Sequence, residues 1–273
     1  METLQLQSAD GMRLHAEYRA GDQPRASVVV AHGIGEHSGR YAGLADALSA
    51  AGFAVMIYDH RGHGRSDGQR AFIRSWDEYD SDLALAVAEA RRRAPDVPFF
   101  LLGHSLGGAM VLDYLVGEYE KPAGVIASAP ALGTPGVSPV LLLLARIMSR
   151  IAPRFSMDTG LDDENLSRDR TVVEAYREDP LVHGKGTARL ATELTRAQRR
   201  IFAGIGAVDV PLLLTYGDAD RIAPREPIER LLSASGSSDK RLEVFRGGYH
   251  ELHLDLQRDD VLALYAGWME ARI

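Results

Sequence analysis

The stretch FLLGHSLGGAMVLDYL, Phe100 to Leu115, limits the possible folds of this chain more than any other. An apolar run stops on Gly103-His104-Ser105-Leu106-Gly107-Gly108, and a helical pattern starts at once. Strand and helix are therefore joined with almost no loop. A turn that tight forces its apex residue into a sparsely populated backbone conformation. Side chains two positions to either side would collide as the helix folds back, and glycine removes the collision. The Ser105 hydroxyl is thereby presented at the carboxyl end of a strand, near the positive end of a helix dipole. A G-x-S-x-G placed between strand and helix is the pattern of a nucleophile elbow.

The beat of strand, glycine-rich loop and helix recurs along the chain. Candidate strands lie at Ser27–His32, Ala54–Asp59, Phe99–Gly103, Gly124–Ala129, Leu212–Tyr216 and Arg241–Phe245, after two short alternating strands around Asp10-Gly11. Most are continuous Val, Ile, Leu and Phe runs, the mark of strands buried on both faces of a parallel sheet. Helical patterns fall between them at Tyr41–Ala51, Trp76–Arg93, Leu106–Glu118, Glu226–Ser235 and Gln257–Glu270. From about Leu132 to Val208 the beat breaks. That interval shows an apolar helix pattern at Val140–Ile151, a polar stretch and further helical pattern, but no clear strand. The expectation is an α/β core of residues 1–131 and 209–273 with a helical cap inserted at 132–208. A length of 273 residues suits one such domain.

Composition narrows the chemistry. The net charge is −7, and no basic cluster offers phosphate contacts, so no nucleic-acid partner is expected. With no cysteine, disulfides, thiol catalysis and thiolate metal sites are excluded. The histidines and carboxylates show no metal-ligand spacing, so neither a metal nor an organic cofactor is expected. The first twenty residues lack a basic segment followed by an apolar one. A cytoplasmic protein is expected, with its cap able to touch membranes or micelles from outside. Nothing in the sequence sets an oligomeric state.

A serine nucleophile needs a base, and the base an orienting acid. Downstream, PLLLTYGDADRIAP is a strand followed by a loop with Asp218 and Asp220, and LEVFRGGYHELH a strand followed by His250 and His253. Asp220, further out than Asp218, is the better acid, because Asp218 is placed to bond the turn backbone. His250 is the better base, and His253 is left to support the loop. Oxyanion stabilisation needs two backbone N–H groups. Leu106, next after the serine, supplies one, and the loop His32-Gly33-Ile34-Gly35 supplies the other at Ile34.

Five segments, HGIGEHSGRY, YDHRGHGRSDGQR, LLGHSLGG, GDADRI and GGYHELH, together resemble the monoacylglycerol lipase family of α/β-hydrolases, a group that also holds lysophospholipases and serine aminopeptidase-like proteins. The resemblance covers nearly the whole chain, including LSRDRTVVEAYREDPLVH in the insertion. It implies an α/β-hydrolase fold and a triad of Ser105, Asp220 and His250. It also implies oxyanion amides at Ile34 and Leu106, with Gly33, Glu36, His37 and His104 in support. The activity implied is hydrolysis of a lipid ester, first a monoacylglycerol and second a lysophospholipid or general carboxylic ester. A hydrolase-fold binding protein with a retired site is the contrasting reading, which the intact triad disfavours.

The expected wall for the acyl chain is the helix at Ser138–Phe155. It carries Val140, Leu144, Ile147 and Ile151 on one face with Leu141 and Met148 beside it, and Arg146, Ser149 and Arg150 largely opposite. The same face is expected to meet lipid aggregates.

Overall fold

The computed structural model describes residues 2–133 and 139–273, with only the backbone described at 139–142. The strands are β1 (Glu2–Gln7), β2 (Arg13–Arg19), β3 (Ala26–Ala31), β4 (Phe53–Tyr58), β5 (Phe99–His104), β6 (Gly124–Ser128), β7 (Ser156–Asp158), β8 (Lys185–Thr187), β9 (Leu212–Gly217) and β10 (Lys240–Phe245). The helices are α1 (Ala42–Ala50), α2 (Asp77–Arg93), α3 (Leu106–Val116), α4 (Pro139–Ile151), α5 (Arg170–Glu178), α6 (Ala188–Gly204), α7 (Arg225–Ala234) and α8 (Arg258–Glu270).

Eight strands form one sheet in the order β1-β2-β4-β3-β5-β6-β9-β10. Neighbours from β4 to β10 run parallel, while β1, β2 and β4 pair antiparallel. This is the mostly parallel, helix-covered sheet that the unbroken apolar runs predict. In β3 every residue is buried. Alternate side chains serve opposite faces, as the period of two requires. Val29 and Ala31 join the core under α2, α3, α6 and α7, whereas Val28 and Val30 join the core under α1 and α8. Each buried valine contributes roughly 1.5–3 kcal/mol.

The strand order turns at β3, which lies between β4 and β5. The chain leaves β3 toward one face and β5 toward the other, so a crevice opens at their carboxyl ends, where sites of α/β sheets gather. The loops after β9 and β10 end on the same edge, because those strands are parallel to β5 through β6.

The described residues between β6 and β9 add no strand to this sheet. They do contain β7 and β8, paired antiparallel as a separate ribbon. The expectation that this interval is free of strands is therefore corrected. The strands are three residues each, Ser-Met-Asp and Lys-Gly-Thr, too short and too polar to show a period. Helix α6 starts beside the ribbon and then runs onto the core, where Leu190, Ala197 and Ile201 pack with α3.

Candidate active site

Ser105 sits between β5 and α3 with φ 51° and ψ −113°, a strained conformation for a residue with a Cβ. The flanking glycines are a steric necessity. A Cβ on Gly103 would lie 2.2 Å from the Gly107 carbonyl oxygen, and one on Gly107 would lie 2.0 Å from that of Ala31. The elbow is thus pressed against the end of β3, which leads straight into Gly33 and Ile34.

Asp220 and His250 meet from separate loops. Asp220 Oδ1 accepts the Ile222 and Ala223 amides at 2.7 and 3.0 Å, which fixes the carboxylate, and Oδ2 faces His250 Nδ1 at 2.8 Å. Asp218 accepts the Gly247 amide, the turn-bonding role expected of it. Burial works against charging His250, but Asp220, aided by Glu251 and Glu36, holds its pKa above the ordinary imidazole value. His253 is buried, stacks on Tyr41 at 4.4 Å between ring centroids, and is pushed by burial down to about 4. It is a neutral packing group beside the base.

Ser105 and His250 line one small cavity of about 30 Å³, with a mixed polar and apolar lining, together with Gly33, Ile34 and His104. No hydrogen bond joins the serine hydroxyl to the imidazole among the described residues, and such bonds commonly tighten only with substrate in place. Leu106 is the first residue of α3, so its N–H is free of the helix ladder. The Ile34 amide likewise has no hydrogen-bond partner among the described residues. Two unused backbone donors therefore lie beside Ser105, one at the start of α3 and one on the loop after β3.

A buried ionic network braces this floor. Glu36 accepts the Gly33 amide at 2.5 Å, the Tyr41 hydroxyl at 2.7 Å and Arg40 at 2.7 Å. Arg40 also grips both oxygens of Glu251, the second at 2.6 Å. Burial opposes ionisation of Glu251, yet Arg40 keeps its pKa below the usual value. His37 turns outward to Asp179 at the end of α5, at 2.8 Å, so it ties the oxyanion loop to the insertion. His104 lies 4.7 Å from His250 ring to ring and is kept neutral by burial. Sequence reasoning placed Glu36, His37 and His104 in support but missed Arg40 and Glu251. Glu36 and Arg40 sit four apart, which is a readable spacing; the tie to Glu251, 211 residues away, is not.

The DHRGHG segment proves structural. Asp59 holds the Ser38 and Arg65 amides at 2.7 Å each, Arg61 clasps Asp82, and His60 bonds the end of β3 at His32.

A second, almost wholly apolar cavity of about 170 Å³ also reaches Ser105. Ile34, Leu106, Ala131, Leu190 and Leu194 form its wall among the described residues. That wall was expected from α4. The structure instead leaves Leu144, Ile147 and Ile151 at 50%, 46% and 72% exposure, and none of them lines a cavity at Ser105. Met148 is half-buried, and the Val140 and Leu141 side chains lie outside the described residues. The apolar helix face is real, but it points to solvent, and α6 takes its place beside the serine.

Known proteins resemble this chain along most of its length. The family model described as serine aminopeptidase S33 matches residues 22–257. A monoacylglycerol lipase of Mycolicibacterium smegmatis is 38% identical over 255 residues, covering 92% of this chain and 90% of that one. The chain belongs to the monoacylglycerol lipase family. A human member, monoglyceride lipase, is 34% identical over 92% of this chain and 84% of its own. The crystal structure of the Paleococcus ferrophilus family member superposes with a TM-score of 0.86 at 34% identity, over 95% of this chain and 99% of that one. The α/β-hydrolase fold is shared throughout.

Proposed function

We propose that the chain hydrolyses monoacylglycerols to a fatty acid and glycerol through an acyl-serine. His250 Nε2 takes the Ser105 proton as Oγ attacks the ester carbonyl, and the Leu106 and Ile34 amides bind the oxyanion, each worth roughly 3 kcal/mol. Collapse of the tetrahedral intermediate breaks the ester C–O bond, and His250 hands its proton to the leaving glycerol oxygen. Water then attacks the acyl-serine by the same relay, which restores Ser105 and releases the acid. Asp220 holds the tautomer and stabilises the imidazolium.

The observation that carries this reading is the pair of unlike cavities meeting at Ser105. The apolar one, along α6, suits an acyl chain; the one of mixed lining, where Glu36, Glu251 and Tyr176 offer hydrogen-bonding groups, suits a hydroxylated alcohol. Residues 132–208 act as the cap over both. The exposed Leu144, Ile147 and Ile151 are its contact with lipid aggregates, so the protein works at a membrane surface from outside. No described helix is long and apolar enough to cross a membrane.

Ser105→Ala tests the proposal. Monoacylglycerol turnover is expected to fall by at least three orders of magnitude while thermal unfolding stays within a few degrees of the parent. A folded variant that keeps most of its turnover ends the proposal.

A further inference from the structure

Strand β10 ends the sheet on one side, with β9 as its neighbour and no strand beyond it among the described residues. Two bonds at its ends fix how its peptide groups are used. The Leu212 amide donates to the Asp239 carbonyl, and the Asp218 amide donates to that of Phe245. In a parallel ladder the residues whose peptide groups face the neighbour alternate along the strand. Asp239, Arg241, Glu243 and Phe245 therefore turn theirs to β9, while Lys240, Leu242 and Val244 turn theirs outward. No other main-chain group takes these outward donors and acceptors among the described residues. No residue of β10 is fully buried, and Val244 is 41% exposed.

A row of unused donors and acceptors is a template for another strand, and charges on an edge usually blunt it. Here the charges are of both signs, and they select one register. Arg241 and Glu243 lie on the same face of the strand and pair with each other in the single chain. Outward groups have to meet outward groups, so a second β10 laid antiparallel is centred on Leu242 or one residue to either side. Centred on Leu242, Leu242 and its copy exchange both main-chain bonds, and so does each Lys240 with Val244 of the second copy. Arg241 then stands directly opposite Glu243 of the second copy, twice over, at the closely spaced non-hydrogen-bonded positions. Centred on Glu243, the strands set Glu243 opposite its own copy. Centred on Arg241, they set Arg241 opposite its copy and Asp239 opposite Glu243. Like charges directly opposite are destabilising. We propose that a second copy of this chain joins this edge, β10 antiparallel to β10 about a twofold axis at Leu242, so that two sheets become one. A contact of this kind is self-complementary and closes at the dimer. The antiparallel sense turns the carboxyl ends of the two sheets in opposite directions, so both serine sites stay open and pairing leaves the activity of each protomer unchanged.

Sedimentation velocity on the full chain reads the assembly, over about 1 to 100 µM protein, the range in which a small interface dissociates. The parent is expected to pass from monomer to dimer within that range. Arg241→Glu sets carboxylate opposite carboxylate, and Glu243→Arg sets guanidinium opposite guanidinium. Each variant alone should weaken the dimer by about tenfold, since two cross-strand pairs turn from attraction to repulsion. Mixed in equal amounts the two variants complement each other again, and the mixture should recover most of the parent's affinity. Val244→Pro removes an outward amide and no bond to β9, a position where an edge strand accepts proline, and should also weaken the dimer. Should that variant fold poorly, the mixture of charge variants decides by itself. Turnover of a soluble butyrate ester is expected to be the same in all of them. A parent that stays monomeric throughout overturns the proposal. So does a dimer that none of the variants weakens, because it is then seated on another face, and so does a mixture that associates no better than its two components.

Discussion

Replacing Arg40 with alanine removes the one cation that two buried carboxylates share. Glu36 and Glu251 have side-chain exposures of 3% each, and the guanidinium 8%. Breaking a buried ion pair by deleting one partner costs about 3–5 kcal/mol, since the remaining charge has neither water nor a counterion. For a domain of this size each kcal/mol lowers Tm by roughly 2–4 °C, so the expected loss at pH 7 is roughly 6–20 °C. The sign of the pH dependence sharpens the test. In the parent the Glu251 pKa is depressed. Its contribution to stability is therefore present above the unfolded value of about 4.3 and is lost as pH falls through the lower folded value. In the variant, burial acts without Arg40 and pushes the folded pKa above the unfolded one. Its stability is then greatest in acid and declines as pH rises. Calorimetric melts of both proteins from pH 5 to pH 8 should show a deficit that shrinks toward pH 5. A Tm within two degrees of the parent, or a deficit that does not shrink in acid, would refute the account of a charge-balanced floor.

Asp220→Asn should lower kcat on a soluble ester by about three to four orders of magnitude. The parent's kcat/KM should rise with pH through a limb above the ordinary imidazole value, because the base works only when neutral and its pKa is raised; in Asp220→Asn that limb should move to lower pH, and stopped-assay pH profiles of both proteins read the shift. Ile147→Glu, on the exposed face of α4, should reduce binding to phosphatidylcholine vesicles and turnover of long-chain glycerides several-fold, with butyrate esters little affected. Equal loss on both ester classes would remove α4 from any role at a lipid surface.

The central sheet was legible because its strands are buried on both faces and so read as unbroken apolar runs, as in Val28–Val30 and Phe99–Leu102. The order of the triad candidates was legible for a related reason: Ser105, Asp220 and His250 each follow a strand, and parallel strands end on one edge. What stayed hidden depends on pairings the chain makes at long range. The β7–β8 ribbon consists of two polar triplets whose only reason to extend is each other. Glu251 reads as one more polar residue after a histidine until Arg40 is seen on its carboxylate. The α4 face shows the limit of periodicity most plainly. A stripe of Leu144, Ile147 and Ile151 says that one side of a helix is apolar; it does not say what lies against it. The structure leaves that side open and puts Leu190 and Leu194 of α6 beside the serine.

The insertion is stitched to the working loops by main-chain bonds. The His183 amide donates to the Gly35 carbonyl, and the Glu251 amide donates to that of Leu166. One seam holds the strand end that carries Ile34; the other holds the loop that carries His250. Excising residues 132–208 to obtain a smaller catalyst would therefore unpick both loops at once and leave a protein that kept its sheet and lost its geometry.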